Sequence, residues 1–250
     1  MARTVVVAGC AGQQPADGLA LARSVRALAD TGWATVLVAP PAMPYAGPDG
    51  RLALALGESR SGRRAVPVTA HLLIDPLDPA LAHPPALSRP EPLAVLEAEA
   101  IGALLGSGFA VVVAEQIPVV PEGSTSGSGS IYRPAGATLD GAACARRLAG
   151  DLGGGVLAFV TGDDGPPFAG DIDHRDAERA LDADPPYAAE LAAAVRFLRA
   201  GGLLAVITTA AALPAALSST GAAGPGPTLR IHRTLARRRA EAPALAAGWC

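Results

Sequence analysis

The sequence predicts an α/β fold: a three-layer α/β/α sandwich around a mainly parallel central sheet. Short, uninterrupted apolar runs such as TVVVA (residues 4–8) and VLAFV (residues 156–160) are typical of strands that are covered on both faces. Amphipathic stretches with apolar residues three and four positions apart separate these runs. Because parallel strands need a crossover, this alternation indicates βαβ units.

In the first half of the chain, the clearest unit is the stretch 97–121. Its apolar positions repeat at helical spacing, and Gly106, Ser107 and Gly108 end the helix because glycine tolerates a left-handed cap. The buried run 109–113 follows, and its carboxyl end, at 114–117, is where a ligand is expected. The other elements predicted in this half are strands at 4–8, 34–39 and 65–74 and a helix at about 17–30.

In the second half, a Gly/Ser-rich stretch at 122–136 is predicted to be either a mobile loop over a ligand or plain surface. The acidic stretch 171–184 is predicted to be a surface excursion with a helix, and its irregular carboxylates match no metal site. The remaining elements are helices at 138–148, at 186–200 and up to 217, with strands at 156–160, 203–207 and 228–232.

Composition narrows the class of protein. Of 250 residues, 50% are hydrophobic and 17% charged, and the net charge of −3 argues against nucleic acid or a membrane surface as a partner. No apolar run reaches the roughly 18 to 20 residues that span a bilayer. The chain opens on a strand without a signal-peptide pattern, so we expect a cytoplasmic protein. Its three cysteines are too far apart for a metal site or a disulfide framework.

All twenty basic residues are arginine, since the sequence contains no lysine. A guanidinium group is planar, bulkier than an ammonium group and always protonated. A mechanism that needs a compact, mobile ammonium group is therefore excluded.

Three places carry candidate chemistry. The loop after the first strand, which contains Gly9, Cys10 and Gly12, exposes backbone N–H groups that bind an anion or simply form a tight turn. The sequence TGDDG after the strand 156–160 offers carboxylates for Mg²⁺ or a ribose, or for capping the next turn. His71 lies in the predicted strand 65–74, towards the carboxyl edge of the sheet, where it is either catalytic or structural.

Several segments, in order, resemble the carbamate kinase branch of the amino acid kinase family. These are TVVVAG, VPVTAHLLIDPLDPALAHPPA, EAEAIGALLGSGFAVVVAEQIPVV, VLAFVTGDDG and AAAVRFLRAGGLLAVIT. The resemblance implies one domain, with a substrate-side half at 1–150 and a nucleotide-side half at 151–250. It also implies ATP or ADP with Mg²⁺, and a homodimer or a heteromer with a related subunit. The nucleotide-binding residues that it indicates are Gly9, Gly12, Thr161, Asp164, Gly165 and Thr208, and no resident metal ligand is indicated.

The chain departs from the family pattern at functional positions. Glu115 and Gln116 replace a run of four glycines, and the family's Asp-Lys-Asp element keeps only Asp140. Gly162 replaces the first aspartate of the nucleotide motif, and Glu190 stands where the family has a lysine. The segment between His83 and Arg89 is too short for the family's lid, so we expect the lid to be missing or reduced.

These departures lead to two main hypotheses. In the first, the protein has lost phosphotransfer and acts as a ligand-binding, regulatory or partner subunit, or hosts altered chemistry. In the second, it is an active phosphotransferase on carbamate or a carboxylate, with Arg133 or Arg146 in the lysine roles. A third hypothesis is new chemistry at Cys10 or His71. The catalytic candidates are Cys10, His71, Asp140 and Arg133, the ligand is a small anionic molecule or a nucleotide, and whether the protein is an enzyme stays open.

Overall fold

The computed structural model describes residues 3–9, 18–39, 65–68, 72–74, 94–95, 97–114, 119–121, 141–162, 164–183, 185, 187–218 and 227–233. In chain order the elements are β1 (Arg3–Gly9), α1 (Gly18–Asp30), β2 (Trp33–Ala39), β3 (Ala65–Val68), β4 (Leu72–Ile74), β5 (Ala94–Val95), α2 (Ala98–Gly106), β6 (Ala110–Ala114), β7 (Val119–Pro121), α3 (Gly141–Asp151), β8 (Val156–Thr161), β9 (Gly170–Asp173), α4 (His174–Leu181), α5 (Ala188–Arg199), β10 (Leu204–Thr209), α6 (Leu213–Leu217) and β11 (Thr228–His232).

The main sheet has eight strands within the described ranges, in the order β3-β6-β2-β1-β8-β10-β11-β9. The first six strands in this order, β3, β6, β2, β1, β8 and β10, are mutually parallel. β11 is antiparallel to β10, and β9 is parallel to β11. The prediction of an α/β fold with a mainly parallel sheet is confirmed.

Apolar side chains alternate between the two faces of the sheet, which explains the uninterrupted apolar runs in the sequence. Val5 and Val7 of β1 pack with α1 and α6 on one face, whereas Val6 and Ala8 pack into the cluster beneath α2, α3, α4 and α5 on the other. All four of these side chains are at most 2% exposed. Burial on both faces removes the polar alternation of a half-exposed strand.

The predicted glycine stop after α2 is also confirmed. Gly108 has a φ of 86°, in the left-handed region that a Cβ disfavours. The N–H of Phe109 donates to the carbonyl of Leu104 over 3.0 Å, so the last turn closes on itself. The strand β6 begins two residues after Gly108.

The strand predicted at 65–74 is divided, which corrects the prediction of one continuous element. Ala65–Val68 (β3) pairs with β6 in the main sheet, and Leu72–Ile74 (β4) joins β5 and β7 in a separate three-stranded sheet. The ladder with β6 ends because Val68 already lies opposite Val113, one residue before β6 ends. The chain beyond it must find other strands with which to pair.

The acidic stretch at 171–184 also differs from the prediction. Its helix is present as α4, but Gly170–Asp173 (β9) forms an edge strand of the main sheet alongside β11. Ile172, which is 4% exposed, fills the core beside Ile231. One apolar residue between aspartates gives little periodicity, so pairing with β11 decides this strand.

Three other features of the sequence lie outside the described residues. These are the loop at 122–136, the segment at 83–89 where the lid is expected to be reduced, and residues 115–117 beyond β6. Across the described part of the chain, the helices are too short or too polar for any of them to cross a bilayer.

The small sheet is tied to α3 by the carboxylate of Asp151. The backbone N–H of Val95 in β5 donates to Oδ2 of Asp151, at the end of α3, over 2.7 Å. Arg147 holds the same carboxylate, with its Nε 3.1 Å from Oδ2 and a terminal guanidinium nitrogen 2.6 Å from Oδ1. Asp151 therefore satisfies a backbone donor at the edge of the small sheet.

We expect Asp151→Ala to lower the free energy of unfolding by about 1.5 to 3 kcal/mol, the range for a hydrogen bond to a charged group. The substitution leaves the N–H of Val95 without its acceptor and frees Arg147. Urea denaturation followed by circular dichroism measures the change. Asp176→Ala is the control, because its pair with the exposed Arg179 is worth at most about 1 kcal/mol. Equal losses in the two variants would contradict the expected role of Asp151.

Candidate functional site

The strand order reverses between β1 and β8. The chain leaves β1 through α1 on one face to reach β2, whereas it enters β10, on the far side of β8, through α5 on the other face. In the register of the sheet, Gly9 at the end of β1 lies opposite Val160. Open α/β sheets bind ligands at such a switch point, in the crevice beyond the carboxyl ends of the strands. The candidate site is this crevice.

Several helices begin at this edge of the sheet. α1, α2, α3 and α5 each precede a parallel strand and run antiparallel to it, so their N-termini lie at the carboxyl ends of the strands. A helix N-terminus carries a partial positive charge that favours anions. The first turns of α1 and α3 contain no acidic residue. The first turn of α2 contains Glu99, which is exposed, and that of α5 contains Glu190, which is 2% exposed.

The loop after β8 forms one wall of the site. The N–H of Gly165 donates to the carbonyl of Gly162 over 3.0 Å, which closes a turn. Gly165 has a φ of 70°, and a Cβ on it would lie 2.2 Å from Cγ of Pro227 and 3.1 Å from Cγ2 of Thr209. Only glycine allows this close packing against the segment that enters β11.

Tyr187 joins this loop to α5. Its hydroxyl donates to the carbonyl of Gly165 over 3.3 Å, and its own carbonyl accepts the N–H of Leu191 over 2.8 Å in the first turn of the helix. Its φ of 66° is in the left-handed region. The N-terminus of α5, including Glu190, is thereby placed beside the loop that follows β8.

Threonine hydroxyls at this edge contact other protein groups. Oγ1 of Thr161 lies 3.0 Å from the carbonyl oxygen of Gly162 and 3.3 Å from that of Thr208. Oγ1 of Thr208 shares a 2.8 Å hydrogen bond with Oγ1 of Thr228, and Oγ1 of Thr209 accepts the N–H of Ala212 over 3.3 Å. These hydroxyls order the ends of β8, β10 and β11.

The structure brings the described candidate residues to one edge. Gly9 and Thr161 end the neighbouring strands β1 and β8, Thr208 lies near the end of β10, and Asp164 and Gly165 are in the loop after β8. Asp164 is exposed, whereas Thr161 and Thr208 are 1% and 0% exposed. The remaining candidates lie outside the described residues and stay predictions: Cys10, Gly12, His71, Arg133 and Asp140.

Two residues at this edge were not predicted from the sequence. Tyr187 follows two prolines at the start of a helix, a pattern that indicates a helix entry but not a left-handed residue with a hydroxyl bonded to another loop. Thr228 begins the last strand, and its pairing with Thr208 depends on the antiparallel register of β10 and β11. Within the described ranges, no cluster of three or more His, Cys, Asp or Glu side chains is arranged to hold a metal ion.

Comparisons with known proteins show which solved structures share this architecture. No protein-family model matches the chain, and no curated protein matches it by sequence. Solved structures do match. The carbamate kinase from Giardia lamblia bound to AMP-PNP aligns with a TM-score of 0.69 at 19% identity, over 93% of this chain and 99% of that one. A second structure of Giardia carbamate kinase aligns with a TM-score of 0.72 at 16% identity, over 94% of this chain and 100% of that one.

A protein with a different activity shares the architecture. The N-acetylglutamate synthase from Neisseria gonorrhoeae, complexed with coenzyme A and L-arginine, aligns with a TM-score of 0.65 at 17% identity, over 93% of this chain and 62% of that one. The same fold is therefore found in proteins with different activities. This chain has the amino acid kinase fold.

Proposed function

We propose that this protein keeps a carbamate-kinase-like fold as a ligand-binding, regulatory or partner subunit and has lost ATP-dependent phosphotransfer. Its ligand is a small anionic molecule or a nucleotide, held at the switch point between β1 and β8. Residues 1–150 form the substrate side and residues 151–250 the nucleotide side. The protein assembles as a homodimer or with a related subunit.

The observation that carries this proposal is the buried carboxyl group of Glu190. It lies in the first turn of α5, three residues after Tyr187, whose hydroxyl reaches the loop after β8. Phosphoryl transfer requires positive groups that neutralise the charge spread over the transferred phosphate. A carboxylate at the position where the family resemblance indicates a lysine opposes that charge. Glu190 therefore supports the proposed loss of phosphotransfer.

The first turns of α1 and α3 support retained binding of an anion. They lack acidic residues, and their backbone N–H groups lie at the edge where β1 and β8 end. A carboxylate, or a nucleotide that is not held for transfer, needs fewer cations than a reacting triphosphate. Ligand binding without phosphotransfer therefore agrees both with the first turns of α1 and α3, which favour an anion, and with the first turn of α5, which contains Glu190.

The second candidate function is an active phosphotransferase in which arginine replaces lysine. Arg146 favours it, because this half-buried residue belongs to α3, a helix that begins at the same edge. An arginine clamp stabilises a transferred phosphate electrostatically. In this case the protein would turn over ATP with carbamate or a carboxylate.

Calorimetric titration with ATP and Mg²⁺, repeated with ADP and combined with an assay of ADP release in the presence of carbamate, separates the two functions. We expect no carbamate-dependent ADP release. Tight ATP binding followed by such release would overturn the proposed loss of transfer and support the arginine-dependent kinase. If neither nucleotide binds at millimolar concentration, the kinase is excluded and small carboxylates become the ligands to titrate.

We expect Glu190→Gln to strengthen binding of ADP by up to about tenfold without creating phosphotransfer. Two like charges about 10 Å apart repel by at most about 1.7 kcal/mol at an effective dielectric constant of about 20, so a gain on the order of tenfold is the upper bound. Titration calorimetry of ADP measures the gain, and adenosine, which has no phosphate, should bind equally to both proteins. Glu178→Gln is the control, because Glu178 pairs with Arg199 on the outside of α4 and α5. An unchanged ADP affinity in Glu190→Gln would contradict the repulsion.

A further inference from the structure

Tyr187 has an unfavourable backbone conformation. Its φ of 66° makes it the one non-glycine residue with positive φ in the part of the chain that the structure describes. The left-handed region brings Cβ close to the backbone, so a residue with a bulky side chain adopts it only when its surroundings hold it there. Such residues concentrate at functional sites.

Two hydrogen bonds hold Tyr187 in place. The phenol donates to the carbonyl of Gly165 over 3.3 Å, and the carbonyl of Tyr187 accepts the N–H of Leu191 over 2.8 Å. The first bond reaches the loop after β8, and the second starts α5. The left-handed backbone lets one residue serve both.

The loop that receives the phenol is restrained on its other side. Pro227 and Thr209 leave no room for a Cβ on Gly165, and the N–H of Gly165 is bonded to Gly162. The loop therefore lies between the segment entering β11 and Tyr187. Its exposed carboxylate, Asp164, lies between the two glycines.

We propose that Tyr187 is a positioning residue that holds Gly165, and with it the turn after β8, in the conformation that ligand binding at this edge requires. The ligand part rests on the proposed function, because it requires that a ligand binds at this edge. The phenolic O–H is the group that acts, since it is the donor to the loop. Tyr187 also couples the loop to the first turn of α5, where Glu190 lies.

Hydrogen exchange of the full-length protein tests the positioning without a ligand. In Tyr187→Phe, which keeps the ring and removes the hydroxyl, we expect the amides of Asp164, Gly165 and Phe168 to exchange about fivefold faster, since a hydrogen bond has a net value of about 1 kcal/mol. Amides of α2 should keep their wild-type rates. Arg199→Ala, which breaks the ion pair with Glu178 at the other end of α5, is the control and should leave the loop unchanged.

Binding tests the consequence for the ligand. Titration of ADP should show an affinity about fivefold weaker for Tyr187→Phe than for wild type, with a midpoint of thermal unfolding lower by only about 2 to 4 °C. Unchanged exchange in the loop, or faster exchange that extends equally to α2, would overturn the positioning role. If the wild-type protein binds neither ADP nor small carboxylates, the proposed function and the ligand part of this proposal fail, whereas the exchange result still decides the positioning of the loop.

Discussion

Gly165→Ala is expected to lower the free energy of unfolding by about 3 kcal/mol and to weaken binding of the ligand proposed for this edge of the sheet. Alanine at a φ of 70° costs about 1 to 2 kcal/mol. The new methyl group would also lie 2.2 Å from Cγ of Pro227, whose ring cannot rotate away, and overpacking of this kind costs about 1 to 3 kcal/mol. Urea denaturation measures the stability, and calorimetry measures the binding of ADP.

Gly153→Ala provides a matched control for this prediction. Gly153 has a φ of 61°, close to that of Gly165, but a Cβ on it would meet no atom within 4 Å. It therefore carries the backbone strain alone, about 1 to 2 kcal/mol. If the two variants lose the same stability, the contact with Pro227 contributes nothing and the loop is less tightly packed than the structure indicates.

Phe159→Ala is expected to destabilise the fold by about 3 to 5 kcal/mol, because a large aromatic side chain leaves a cavity that its neighbours fill only in part. Phe159 is 0% exposed in β8, and it lies opposite Ala8 of β1 and Ile207 of β10. The cavity would open in the cluster beneath α3 and α5. Equilibrium unfolding in urea, followed by near-UV circular dichroism, measures the loss.

Leu203→Ala is the control for Phe159→Ala. Leu203 is an apolar residue beside the same strands, but it is 67% exposed, and surface substitutions of this kind usually change stability by about 0.5 kcal/mol or less. A loss below about 1 kcal/mol in Phe159→Ala would show that the core collapses around the missing ring. The helices on this face would then be more loosely packed than their burial indicates.

The sequence alone determined the fold class and most of the elements that build the site. Burial on both faces leaves a direct trace, an uninterrupted apolar run, as in β1 and β8. A helix that ends at glycine leaves another, as at Gly108. These signals are local in the sequence, so they can be recognised without a structure. The ordered segments that resemble carbamate kinases led to the same fold that the structural neighbours show.

The tertiary structure alone decided the features that depend on partners far apart in the chain. The predicted strand at 65–74 is divided because its ladder with β6 ends at Val68. The start of the acidic stretch forms the strand β9 because it pairs with β11. The carboxylate of Asp151 meets the N–H of Val95, 56 residues away, and the phenol of Tyr187 meets the carbonyl of Gly165, 22 residues away. Hydropathy and spacing report what a residue buries, but not which distant group it contacts. The contacts around the loop after β8 were therefore decided by the packing of the sheet.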